Sequence, residues 1–413
     1  MTPHRIAPLP SAHHLAPVLA DNRPGTGRRL GPRHSFALAL TWVATRFGML
    51  ALLVVDRLGD TGVAGEVHTL YRRWYEQLAH GAFPVDDVTW QYPPGAALVF
   101  LSPGPLPWLT YFEAFVALVL VSDAVITVAL ARAGVRGAWL WVCALPLLLN
   151  VPLARYDVPV TAVAVLALLA VRTRPRLGGA LAGIGAMIKI WPLLAVLGTA
   201  RGRTTRSAWL SAAVAAAVLF AALAIGFSHT LDFVRQQGAR GVQIESLGGT
   251  ALQLARHAEW SGTVRYQYGA FEFIGPYVSS VATASLALTV VAFGWLVWWR
   301  MKARRWNPAT PFDAAFAAVL LFTVTSRVIS PQYMIWLLGL AAVCLTSRFT
   351  TQRPVALLMV PAAVLSALAY PLLYNDVLGG TVLGCVLMVL RNGLLLTAAL
   401  LSCRRLWTAT ASR

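Results

Sequence analysis

The sequence is poor in charge. Only 12% of its 413 residues are Asp, Glu, Lys or Arg, while 58% are hydrophobic. A soluble chain of this length needs a polar coat that such a composition cannot supply, so an integral membrane protein with several helical spans is expected. Lysine is nearly absent, with Lys189 and Lys302 alone, so arginine carries most of the formal charge of +18. The four cysteines, Cys143, Cys344, Cys385 and Cys403, lie in or at the ends of apolar segments. They have no metal-ligand spacing and suggest no disulfide framework. HExxH, GxSxG, Walker A and GxGxxG patterns are missing from any supporting context. No metal, nucleotide or other cofactor is expected.

What the chain does have is hydropathy. Apolar segments fall at about 36–55, 109–131, 137–153, 157–171, 177–200, 207–228, 276–299, 311–328, 331–346, 353–373 and 380–402. Residues 1–35 read as a disordered basic tail and 406–413 as a short tail. The intervening 36–405 form one transmembrane domain. Basic tails put both termini in the cytoplasm, and most other arginines then fall on that side. This asymmetry accounts for the net charge without a nucleic-acid partner.

Segment 177–200 breaks the pattern, because arginines flank both its ends (Arg172, Arg174 and Arg176; Arg201, Arg203 and Arg206). Four glycines precede Lys189 and Trp191-Pro192 follows it, a poor recipe for a straight span. The expectation is a re-entrant hairpin with Lys189 near its tip, and about ten crossings elsewhere.

The polar residues gather on the other side. The first outer loop, 56–94, is acidic, and Val67, Leu70, Tyr71, Trp74, Tyr75 and Leu78 recur within it at helical spacing. That predicts an amphipathic helix lying on the membrane surface. Residues 95–103 are too short to span. A second large outer loop covers 228–275.

Charges within spans need a stated reason. Arg46, Glu113, Asp123 and Arg391 read best as helix-pairing charges, whereas Lys189 has an equal claim to a functional role. Asp157 can cap its helix or bind a ligand. Arg240, Gln243 and Glu245 form a dense polar run, and Arg327 sits beside Gln332, Tyr333 and Trp336 near an aromatic boundary. Outer carboxylates with arginines and a lysine suit group transfer from a phosphate-bearing lipid to a hydroxyl.

Six stretches together resemble a known family: GEVHTLYRRWYEQLAHGAFPVDDVTWQYPP at 65–94, RYDVPV at 155–160, GALAGIGAMIKIWPLL at 179–194, RGVQIES at 240–246, SRVISPQYMIWLL at 326–338 and RN at 391–392. In this order they resemble the polyprenol-phosphate-mannose-dependent mannosyltransferases of glycosyltransferase family 87, of the membrane GT-C class, widespread in actinobacteria. The resemblance implies an all-α GT-C fold in the bacterial plasma membrane with its active site on the extracytoplasmic side. It also implies inverting, metal-independent transfer of mannose from a polyprenyl-phosphate sugar to a lipid or glycan acceptor.

The family's base is usually an Asp ahead of a Tyr. Here Glu66 stands ahead of Tyr71, with Asp60 and Asp56 as alternatives. By the same resemblance Lys189, Arg240 and Arg327 would hold the donor phosphate. Tyr71, Asp157, Glu245, Gln332, Tyr333 and Trp336 would touch sugar or acceptor. Two other classes stay open: a secondary transporter or lipid flippase, and an inactive relative serving as an assembly partner.

Overall fold

The computed structural model describes residues 31–233 and 240–412. The expected tail at 1–30 lies outside these. Helix α1 spans Pro32–Val55, four residues earlier than hydropathy alone suggests, with Pro32 in its first turn. There the fixed φ of proline favours the helix and its missing N–H costs nothing.

The remaining helices are α2 Arg72–Ala79, α3 Ala96–Leu101, α4 Tyr111–Ala133, α5 Val135–Ala144, α6 Asp157–Val171, α7 Pro175–Ile188, α8 Arg203–Gly226, α9 Leu247–Arg256, α10 Val278–Lys302, α11 Thr310–Thr325, α12 Tyr333–Leu345, α13 Arg353–Ala367, α14 Tyr374–Gly379 and α15 Val382–Thr410; all but α2, α3, α9 and α14 lie on the apolar segments. Six helices among the described residues are long and apolar enough to cross a membrane. Four more apolar helices are shorter. The protein is a helical membrane protein. The expected tail at 406–413 is mostly helix: α15 runs to Thr410, and Trp407 packs on Trp298 with ring centroids 4.5 Å apart.

Segment 175–198 folds as a hairpin. Helix α7 stops at Lys189, whose backbone is extended, and a 3-10 turn over Trp191–Val196 leads back. Gly185 admits Pro192 of the return leg, which a Cβ there would meet at 2.8 Å. Gly179 and Gly183, one turn apart, let the carbonyls of Ala208 and Ala212 on α8 approach closely, the small-residue packing of helices in lipid. Both ends of the hairpin abut the start of α11: the Arg172 guanidinium lies 5.7 Å over the Phe312 ring, and Gly198 packs on Pro311 and Ala314. The chain therefore enters and leaves at one end of the bundle, with Lys189 at the tip.

The first-loop helix exists, as a π turn over Glu66–Tyr71 continuing into α2, but protein covers its apolar face. Val67, Tyr71, Trp74 and Leu78 are all but inaccessible. Tyr71 and Trp74 join Trp90, Tyr92, Phe100, Phe115 and Tyr156 in one aromatic cluster. Removing such side chains from water stabilises by about 1.5–3 kcal/mol each, and here protein rather than lipid supplies the cover. Short α3 completes the seat, with Phe100 buried beneath Trp74.

The second loop adds a sheet that the hydropathy reading does not foresee. Strands β1 Val242–Gln243, β2 Thr263–Gln267 and β3 Ala270–Ile274 pair antiparallel in the order β1-β3-β2. Tyr268 and Gly269, both at positive φ, form the two-residue turn of the β2–β3 hairpin, the geometry that matches strand twist. The two outer loops meet where Phe83 N–H donates to the Ser228 carbonyl and Ser228 N–H to Gly81.

Candidate active site

A cavity of about 600 Å³ opens between the two loops, the hairpin tip and the starts of the neighbouring helices. Glu66, Lys189, Arg240, Arg327, Gln332, Tyr333 and Trp336 all line it. Seven residues from four stretches of sequence thus converge on one space.

Glu66 faces the cavity from the π turn. Its Oε2 lies 3.1 Å from Nη1 of Arg155 and 3.5 Å from the Tyr71 hydroxyl. Oε1 takes no hydrogen bond among the described residues. Arg155 is itself pinned by donating to the carbonyls of Val63 and Ala154 and to the Tyr370 hydroxyl. Burial works against its charge, but Glu66 and then Tyr370 outweigh that and hold it above the usual arginine range.

Lys189 projects into an aromatic box. Its Nζ lies 4.5 Å from the Tyr156 ring centroid, 4.6 Å from Trp336 and 5.6 Å from Tyr333, an arrangement that favours a cation. Beneath it, the fully buried Asp157 accepts from Nζ at 2.7 Å and from Trp336 Nε1 at 2.6 Å, both on Oδ1. Asp157 opens α6, where the helix dipole favours a carboxylate. It holds Lys189 and Trp336 from behind the cavity wall.

Arg240 and Arg327 form the opposite rim. Arg240 pairs with the buried Glu272 at 3.2 Å and reaches the Tyr268 carbonyl at 3.4 Å. Arg327 Nη1 donates to the Arg240 carbonyl at 2.9 Å. Gln243 clamps both stretches, its N–H donating to the Arg327 carbonyl and its Oε1 accepting from Ile329 N–H.

Five expected residues, Asp56, Asp60, Tyr71, Asp157 and Glu245, are absent from the cavity lining. Asp56 accepts from the N–H groups of Val63 and Ala64 and from Asn150, which makes it a cap for the turn that presents Glu66. Asp60 accepts from Asn375 N–H at 2.8 Å and is absent from the cavity lining. Glu245 is buried in a knot with Arg391, at 2.8 Å, and Arg391 in turn engages Asn392. The Glu245 carboxylate is engaged by Arg391 and is absent from the cavity lining. Its role is to staple the second loop to α15. Tyr71 sits in the aromatic cluster below the cavity, with its hydroxyl toward Glu66.

A family model for glycosyltransferase family 87 matches residues 90–331, more than half of the chain. The chain belongs to glycosyltransferase family 87. It is a membrane glycosyltransferase. No curated protein matches, and no solved structure does. The family 87 match takes in Lys189, Arg240 and Arg327. Glu66 lies upstream of it, while Gln332, Tyr333 and Trp336 lie just beyond.

The structure also brings in residues that sequence reasoning missed as site residues. Thr89, Gln91, Tyr92, Ser326 and Ser330 line the cavity, as do Tyr268 and Gly269 at the hairpin tip. The signal for the hairpin was present: TVRYQYGAFEFI alternates around a Tyr-Gly pair. Apolar walls come from Phe220, Leu231, Phe233 and Phe322. Among the described residues no group of three His, Cys, Asp or Glu is arranged to hold a metal ion.

Proposed function

We propose that the protein transfers a mannosyl residue, with inversion, from a polyprenyl-phosphate sugar to a hydroxyl of a lipid or glycan acceptor on the extracytoplasmic face. The observation that carries this reading is the division of the cavity. A carboxylate, Glu66, faces it from one loop, and Lys189, Arg240 and Arg327 face it from three other stretches. In the step proposed, the acceptor oxygen attacks the anomeric carbon as its proton passes to Glu66. The bond from that carbon to the phosphate oxygen breaks, and the phosphate leaves with the electron pair. Arginine forks and the lysine ammonium stabilise the charge growing on it.

Each of three charges around the cavity has its own counter-ion: Arg155 for Glu66, Asp157 for Lys189 and Glu272 for Arg240. These pairs fix the groups before substrate arrives, which is what positioning catalysis requires. The apolar wall of Phe220, Phe233 and Phe322 suits the first isoprene units of a lipid donor. Mannose itself rests on the family resemblance.

The test is transfer of radiolabel from polyprenyl-phosphate-mannose to a membrane lipid extract by the purified protein in lipid, with the product anomer read by NMR. Transfer with inversion, lost in Glu66→Gln, is the expected result. Retention of configuration would overturn the single displacement. Transfer only from a different polyprenyl-phosphate sugar would keep the mechanism and discard mannose.

A further inference from the structure

The end of the bundle away from the cavity is the opposite of the loops in its charge. Arg132, Arg172, Arg203, Arg300, Arg348 and Arg405 all lie there, at helix ends that contact one another. The carboxylate at this end among the described residues, Asp313, is buried and already accepts from Thr350 and Thr351. It offers the arginines nothing.

Within this face, one cluster is built rather than scattered. Arg201 Nη2 donates to the backbone carbonyl of Arg300 in the last turn of α10. This draws the two guanidinium-bearing residues together. Arg300 is held in turn. Its Nη2 donates to the Thr205 hydroxyl at 2.8 Å, and its guanidinium lies 4.5 Å over the Trp306 ring. Its Nη1 is buried without a hydrogen-bond partner among the described residues, which is costly for a cationic donor.

Thr205 belongs to the first turn of α8, whose N-cap, Gly202, supplies no side-chain cap. Arg203 and Arg206 flank it, both exposed. The cluster thus joins like charges, an unmet donor and a helix N-terminus with its N–H groups uncapped, all of which favour an oxyanion with several acceptors.

We propose that the Arg201–Arg300–Thr205 cluster binds the phosphate of an anionic membrane lipid. The choice of lipid over free phosphate rests on the neighbouring surface. Helices α8 and α10, whose ends form the cluster, are the two candidate spans least covered by protein. Leu210, Val214 and Val218 on one, and Val290, Val297 and Met301 on the other, are exposed. A headgroup at the cluster would leave its acyl chains alongside these side chains. The site is separate from the cavity and does not depend on the identity of the sugar donor.

The experiment is thermal unfolding of the full-length protein in a neutral detergent. Dioleoyl phosphatidylglycerol, dioleoyl phosphatidylcholine or inorganic phosphate is added at equal phosphorus. Phosphatidylglycerol alone is expected to raise the midpoint, by about 2–4 °C at saturation. Arg201→Gln/Arg300→Gln should lose the shift, and Arg132→Gln/Arg348→Gln, which removes equal charge from the same end, should keep it.

If the double variant does not fold, Arg201→Glu serves instead. It places a carboxylate beside Arg300, so the lipid-free protein should melt no lower than wild type and should ignore phosphatidylglycerol. An equal shift with phosphatidylcholine or with inorganic phosphate would overturn the proposal. So would loss of the shift in the control pair, which would mark a diffuse charged face.

Discussion

Lys189 Nζ and Asp157 Oδ1 meet at 2.7 Å where the tip of the hairpin reaches the first residue of α6. The carboxylate is inaccessible, and the lysine is 14% exposed, to the cavity it lines. Removing either partner leaves an uncompensated charge, at a cost of about 3–5 kcal/mol. Asp157→Asn and Lys189→Met should each lower the melting midpoint in detergent clearly. The double variant should recover much of the stability without recovering transfer. Recovery of transfer would remove Lys189 from the mechanism.

The three carboxylates of the first loop should separate by assay. Glu66→Gln is expected to lose about 10²- to 10⁴-fold in transfer rate, and to lower the melting point as well, because the buried Arg155 loses its counter-ion. Asp56→Asn breaks the cap on Val63 and Ala64 and should cost about 1–3 kcal/mol of stability. Asp60→Asn, at an exposed contact, should stay near wild type in transfer. A rate loss confined to Asp60→Asn would move the base to that residue.

Glu245 tests the distinction between contact and staple. It is tied to Arg391 and lies outside the cavity lining. Glu245→Leu should destabilise by about 3–5 kcal/mol, while the folded fraction keeps its apparent affinity for donor. A change in KM with the melting point intact would return Glu245 to the substrate.

Acid should loosen the first loop late. Burial raises the Asp87 carboxyl, but hydrogen bonds from Thr89 and Trp74 and the charge of Arg73 outweigh it and leave its pKa below the ordinary value. A depressed carboxyl contributes stability that is full above its unfolded pKa and is lost as pH falls through the folded one. Tryptophan fluorescence from Trp74 and Trp90 should therefore stay flat from pH 7 to about 4 and change only below. In Asp87→Asn the acid step should vanish. A step near pH 6 in wild type would assign the transition to another group.

The helices were legible because lipid imposes a long apolar run, and the hairpin because arginines flank both its ends. What covers a helix face was not legible. Periodicity marks Val67, Tyr71, Trp74 and Leu78 as one apolar face, yet it cannot tell a bilayer from Phe100, Phe115 and Tyr156, which come from other segments. Lys189, Arg240 and Arg327 could be drawn together from charge and the family resemblance. Glu245 could not be placed, since its partner Arg391 is 146 residues away. Arg155 was visible only as a polar residue near a helix start, because its tie to Glu66 spans two loops. Thr89 and Tyr268 carry no charge to single them out and come to the cavity through turns.

The hairpin gives the enzyme a lever. Its base is fixed where Arg172 and Gly198 abut α11, and its tip carries Lys189. Helix α7 has 14 residues, so the arm is about 21 Å long. A tilt of only 5° at the base would carry the tip through about 1.8 Å over that length, more than enough to spoil or restore alignment with a phosphate. Whatever presses on the far end of the bundle therefore acts at a mechanical advantage on the lysine that lines the cavity.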